Sequence, residues 1–144
     1  VTGGVLEGVA VTGLLAAGAV LALVVGTAGQ AAPPPTTAAV RNLIESFIGT
    51  GTVTHVFLHA AGREVEVHVR LDGVRSLPPD PADWGWFFRD VSEIATSRVF
   101  RPPLPHQGLE RLTRIRLWYS LGGRLVARAA RDRSQAAPTV VLLP

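Results

Sequence analysis

The chain has 144 residues and a formal net charge of +3, from 14 basic and 11 acidic side chains. It contains no Cys, and every basic residue is Arg rather than Lys. This excludes disulfides, thiol catalysis, thiolate metal sites and lysine Schiff-base chemistry. It leaves the compartment open, because disulfide-free proteins occur everywhere.

Residues 8–29, GVAVTGLLAAGAVLALVVGTAG, carry no charge. As a helix rising about 1.5 Å per residue, the run spans about 33 Å, enough to cross a hydrocarbon core of about 30 Å. Thr12 and Thr27 are its only hydroxyls, so it lacks the polar stripe of a buried core helix. The expectation is a single-pass transmembrane helix. A cleaved signal peptide is the competing reading, with Ala31 after Gly29 and Gln30 as a small-residue cleavage site. Against it, no Lys or Arg precedes the run, which exceeds the usual apolar core of about 7–15 residues. Gly8, Gly13, Gly18 and Gly26 offer close approach to another helix without forming a strict GxxxG pair. The first Arg after the run is Arg41, so basic residues at its ends lean only slightly toward a cytoplasmic domain.

Residues 30–36, QAAPPPT, form a stiff spacer, since consecutive prolines favour extended polyproline backbone. A spacer of this kind suits projection from a membrane, and the expectation is an extracytoplasmic domain. The chain thus divides into a membrane anchor at 1–29, a Pro-rich linker at 30–36 and an α+β domain at 37–144. About 108 residues are enough for one modest core.

A helix is expected at 37–48, with Thr36 or Thr37 as its cap and Gly49 as its stop. Val40, Leu43, Ile44, Phe47 and Ile48 recur at helical spacing and form its apolar face. Residues 52–71 alternate as two strands around the Gly-containing turn AAGR. Pairing His59 with Glu64 sets Leu58 against Val65, Val56 against Val67, Thr54 against Val69 and Thr52 against Leu71 on the core face. The other face then holds His55 opposite His68, Phe57 opposite Glu66 and Val53 opposite Arg70.

A second helix opens at Asp80-Pro81-Ala82-Asp83, with Asp80 as cap, Pro81 at the first helical position and Asp83 in a capping-box role. Its apolar stripe is Trp84, Phe87, Phe88, Val91, Ile94 and Ala95, and Pro102-Pro103 ends it. Residues 112–132 form a second hairpin around Gly122-Gly123. Ile115, Leu117 and Val126 lie on one face, and Arg114, Arg116 and Trp118 on the other. Residues 139–143 add a fifth strand. Helix and hairpin thus occur twice, and THVFLHAAGREV echoes TRIRLWYSLGGRLV. The expected architecture is two αββ units in an antiparallel sheet with two helices on one face.

Three constellations carry candidate chemistry. Residues 111–133 hold seven Arg against Asp132 alone, a balance of +6. Arg114, Arg116 and Arg128 with Trp118 are therefore candidates for an anionic lipid or polymer; the plainer reading is a solvated sheet face whose Arg stems cover apolar surface. Nucleic acid is disfavoured, because no nucleic-acid fold motif accompanies the charge. Opposed His55 and His68, with His59 or Glu66 as a third ligand, are the candidate metal set, weighed against an ordinary polar sheet face. Trp86, near Asp90 and Glu93, and Phe57 are candidate partner contacts, since Trp is enriched at interface hot spots. Alternatively, Trp86 packs under the loop at 77–81 or the turn at 102–105.

No nucleophile elbow, Walker loop, Rossmann fingerprint or HExxH motif is present, and Ser92, Ser97 and Ser120 have no adjacent base. The expectation is a protein that is not an enzyme and needs no cofactor. It would be a membrane-anchored accessory or scaffold subunit that meets other membrane or envelope proteins. The alternative is an anionic-ligand or lipid-surface binding domain.

Overall fold

Helix α1 (Thr36–Ile48) buries Val40 and Ile44 and partly buries Leu43 and Ile48, as its spacing dictates, but Phe47, expected on the same face, is 37% exposed. In this computed structural model the described residues are 35–144; the apolar run at 8–29 and the spacer up to residue 34 lie outside them. Among the described residues, no helix is long and apolar enough to cross a membrane. Neither Thr36 nor Thr37 caps α1. Pro35 holds the cap position without a side-chain bond, and Thr36 is already helical, so the spacer ends one residue earlier than the composition suggests. Gly49 stops the helix at φ 140°, and its N–H donates to Glu45 O.

Strands β1 (Val53–His59) and β2 (Glu64–Arg70) pair antiparallel, with the expected partners from His59↔Glu64 to His55↔His68, although Leu58, expected in the core, is 40% exposed on this edge strand. Below that pair the expected register fails. A bulge at Thr54 shifts the ladder, so that Val53 faces Val69 and is buried, while Thr54 is exposed. The Thr54 hydroxyl donates to His68 O at 3.3 Å. The extra residue turns an apolar side chain inward in place of a hydroxyl. The hairpin turn holds Ala60 and Ala61 at φ 52° and 56°, left-handed backbone usually left to Gly, Asn or Asp.

Asp80 caps as expected, accepting from Ala82 N–H at 3.0 Å, but what it caps is a single 3₁₀ turn at Pro81–Asp83. The α-helix proper, α2 (Trp84–Phe100), follows, and Asp83 makes no side-chain cap bond. The buried side of α2 includes Phe87, Phe88, Val91 and Ala95, yet Ile94 is 40% exposed while Ser92 and Thr96 are fully buried. Polar partners beneath the helix account for this. Ser92 Oγ bonds Tyr119 Oη at 2.8 Å, and Thr96 Oγ1 accepts from Arg131 at 2.9 Å. A buried hydroxyl with a partner is tolerated, so the stripe follows the partners rather than hydropathy alone.

A short helix, α3 (Gln107–Glu110), precedes β3 (Arg114–Leu121), β4 (Arg124–Asp132) and β5 (Thr139–Leu142). The five strands lie in the order β1-β2-β3-β4-β5. Three neighbouring pairs are antiparallel, but β2 and β3 run parallel, with Val67 opposite Leu117 and His68 opposite Trp118. This corrects the fully antiparallel expectation. Helix α2 carries the chain from the end of β2 back to the start of β3, and a crossover of that kind makes the two strands parallel. Two helix-plus-hairpin units therefore stand side by side in an α+β domain with a mixed, mainly antiparallel sheet. Val65, Val67 and Val69, then Ile115, Leu117 and Tyr119, then Ala127 and Ala129 form the inner face, buried with α1 and α2 in one core. Among the described residues, no helix packs on the opposite face of the sheet.

Candidate functional site: the outer face of the sheet

Strand alternation sends every second side chain to the outer face. The registers align these residues in rows across the strands. One row reads His55, His68, Trp118, Arg128 and Val141; the next reads Phe57, Glu66, Arg116, Ala130 and Thr139; a third reads His59, Glu64, Arg114 and Asp132. All the sequence-derived candidates except Trp86 therefore meet on one surface. The parallel β2–β3 pairing brings them together, joining the His hairpin to the Arg hairpin.

The rings form a continuous layer over β1 to β3. His55 stacks on Phe57 with centroids 5.7 Å apart, and both meet His68 edge-on, at 5.9 and 5.8 Å. His68 in turn lies 6.4 Å from Trp118 with planes inclined by 24°. Beside this layer, Glu66 is shared by two histidines. Its Oε2 bonds His68 Nε2 at 2.7 Å and its Oε1 lies 3.3 Å from His59 Nε2. The hydrogen bond from His68 is the main cause that holds the Glu66 carboxyl below its ordinary range; partial burial works against it, and the charge of His68 and the contact with His59 add to it. Of the candidate metal ligands, His59, Glu66 and His68 thus form a hydrogen-bonded trio, whereas His55 turns to Phe57 and places Nδ1 3.2 Å from Thr54 Oγ1. Among the described residues, no group of three or more His, Asp or Glu converges as a metal cage.

The arginine-rich segment is not the basic patch that its composition suggests. Arg131 is 5% exposed on the inner face. Its guanidinium donates to Thr96 Oγ1, Ser97 Oγ and the carbonyls of Glu93, Gln135 and Ala136. Arg133 donates to the carbonyls of Leu112, Phe100 and Leu109 and lies over the Phe100 ring at 4.7 Å. Arg111 reaches Ala61 O at 3.2 Å, bracing the left-handed turn. These three arginines bind the chain to itself. Alternation through 127, 129 and 131 is the signal that would have placed Arg131 inside; counting charge along the sequence hid it.

Of the four proposed anion-binding residues, Arg114 pairs with Asp132 at 3.4 Å and Arg116 with Glu64 at 3.0 Å. Arg128, exposed opposite Trp118, has no ion pair among the described residues. Arg114, Arg116, Trp118 and Arg128 all line one groove of about 430 Å³, together with Thr139 and Val141 of β5. Trp86 sits elsewhere, 49% exposed, in an apolar groove of about 330 Å³ with Phe47, Ile48, Phe87 and Val91. The contact to the Pro-rich loop belongs instead to Trp84, whose indole N–H donates to Pro78 O at 2.9 Å. Comparison with protein-family models, with curated proteins and with solved structures finds no match.

Proposed function

We propose that residues 35–144 form a non-catalytic docking module that binds a protein partner through the outer face of the sheet. In this reading the run at 8–29 holds the module to a membrane, and the protein serves as an accessory or scaffold subunit of an envelope-associated assembly. The observation that carries it is the ring layer of Phe57, His55, His68 and Trp118, over which no element packs among the described residues, flanked by Leu125 and Val141, which are 44% and 40% exposed. Aromatic side chains presented by a rigid sheet supply contact area at little entropic cost, and an apolar centre with paired charges around it is the usual anatomy of a protein interface. An anionic bilayer is a poorer fit. The face carries four arginines, Arg70, Arg114, Arg116 and Arg128, against Glu64, Glu66 and Asp132. A flat charged surface therefore meets a face of nearly zero net charge.

Photo-crosslinking tests the reading. p-Benzoylphenylalanine in place of Phe57, in cells that express the full chain, should yield a protein adduct. The same group at Arg75, in the loop remote from the sheet face, should yield none. Equal adducts at both positions, or none at Phe57, would refute a docking role for this face. A compartment-sensitive reporter fused after Pro144 should report an extracytoplasmic domain.

A further inference from the structure

The docking reading leaves the partner's chemistry open, and the groove over β3, β4 and β5 narrows it. Its lining includes Arg114, Arg116 and Arg128 against one acid, Asp132, while the guanidinium of Arg131, also in the lining, is held on the inner face. Arg114 pairs with Asp132 and Arg116 with Glu64, so the charge that a group entering the groove meets unpaired is that of Arg128. Arg128 has no ion pair among the described residues to give up. Two further N–H groups of lining residues, Arg114 Nε and Trp118 Nε1, are enclosed without an acceptor among the described residues. The floor adds an apolar element, the Trp118 ring and Val141.

The groove also opens at a sheet edge. β5 pairs with β4 over Ala127↔Leu142 to Ala130↔Thr139, and its other side pairs with no strand among the described residues. Neighbouring strands lie about 4.8 Å apart, so a segment added beside β5 would run about 10 Å from β4. That distance is within the joint reach of a glutamate side chain and Arg128. Alternate side chains of such a segment would project over Thr139 and Val141 into the groove, while its backbone used the free edge.

We propose that this groove captures an extended acidic segment of the partner protein, with a carboxylate received by Arg128 beside Trp118. The proposal rests on the protein-docking reading and specifies what docks. A carboxylate accepts the planar, bidentate geometry that a guanidinium offers, and a charged pair in a groove outweighs one on an open surface. A lipid surface lacks the shape to enter the groove and meets the carboxylates of the surrounding face.

The test uses the full ¹⁵N-labelled chain in detergent micelles, with hexaglutamate and hexaglutamine as probes. The Trp118 indole N–H resonance, identified by its loss in W118F, should shift and saturate with hexaglutamate and stay in place with hexaglutamine. Arg128→Gln should weaken hexaglutamate binding by about tenfold or more, the loss of one charge-assisted bond, with an unchanged circular dichroism spectrum. Absence of a shift, an equal shift with hexaglutamine, or an unaltered affinity in R128Q would overturn the proposal. Binding to phosphatidylglycerol vesicles without a hexaglutamate response would overturn it in favour of a lipid surface. A protein adduct from Phe57 without any hexaglutamate response would sink the groove and leave the docking face standing. A hexaglutamate response with no adduct from Phe57 would refute docking through the ring layer and, with it, capture of a partner's segment, leaving the groove as a binding site for acidic chains alone.

Discussion

Tyr119 offers an unusually clean test of the fold, because the chain has one Tyr, no Cys and no Lys. Between about pH 9 and 12 its phenol is then the one side chain expected to titrate, with arginine ionised throughout. Tyr119 is fully buried on the inner face, beside Phe88 at a ring distance of 4.8 Å, and its hydroxyl bonds Ser92 Oγ at 2.8 Å. Burial pushes the phenol well above its ordinary value, and the bond to Ser92 only partly offsets this. The unfolded chain therefore loses the phenol proton near pH 10 while the folded chain keeps it. The folded state binds more protons there, so stability falls as pH rises, by about 1.4 kcal/mol per unit above pH 10. By pH 12 the loss is about 3 kcal/mol, a large part of the stability of a small domain. Absorbance at 295 nm follows the tyrosinate and far-ultraviolet circular dichroism follows the fold. The two should change together, well above pH 10. Tyr119→Phe should be less stable at pH 7 by about 1 kcal/mol, for the lost hydrogen bond, yet show no alkaline slope up to pH 12. Tyrosinate that appears near pH 10 in a chain with unchanged dichroism would mean that Tyr119 is not buried, and the inner face as described would be wrong.

The remaining predictions probe other parts of the same frame. Arg131→Met should lower stability by about 2–4 kcal/mol in denaturant titrations, because it takes the guanidinium donors from the Ser97 hydroxyl and the carbonyls of Gln135 and Ala136 and leaves Thr96 and Glu93 only their bonds within α2. Arg131→Lys should recover little, since one ammonium cannot span those acceptors, whereas Arg124→Ala, on the exposed turn, should stay within about 0.5 kcal/mol. Gly108→Ala should cost about 1–3 kcal/mol, as the new methyl would overlap Thr36 Oγ1 and stand 3.0 Å from Thr36 Cβ. The same substitution in a Thr36→Ala background should cost markedly less, and an equal cost in both would refute the close approach of α3 to α1. Glu66 carries a lowered pKa, so its contribution to stability is present above the ordinary carboxylate value and is lost as pH falls through the folded value. Glu66→Gln should therefore flatten the acid limb of a stability profile below about pH 4 and leave the alkaline limb untouched.

The individual elements are legible in the amino-acid pattern alone. α1, the β1–β2 hairpin with five of its pairs, the Asp80–Pro81 start and the Gly122-Gly123 turn follow from local periodicity and turn chemistry, which neighbouring residues determine among themselves. The bulge at Thr54 is not legible there, because it depends on whether Val53 or Thr54 finds room in a core built from distant residues. Nor is the rotation of the α2 stripe, which turns on Tyr119 and Arg131, 27 and 35 residues from Ser92 and Thr96 respectively. The candidate site divides in the same way. Which faces carry His55, His68, Arg116 and Trp118 is a matter of alternation along each strand, fixed within a few residues. That His68 meets Trp118, and that Arg114 and Arg116 spend charge on Asp132 and Glu64, follows from the pairing of strands far apart in the chain. A linear count of charge makes residues 111–133 look like a basic surface. Tertiary packing turns Arg131 inward onto hydroxyls and carbonyls, because a buried guanidinium is stable only where the fold brings acceptors to it, sets Arg133 against the carbonyls of Leu112, Phe100 and Leu109, and leaves Arg128 exposed without an ion pair among the described residues.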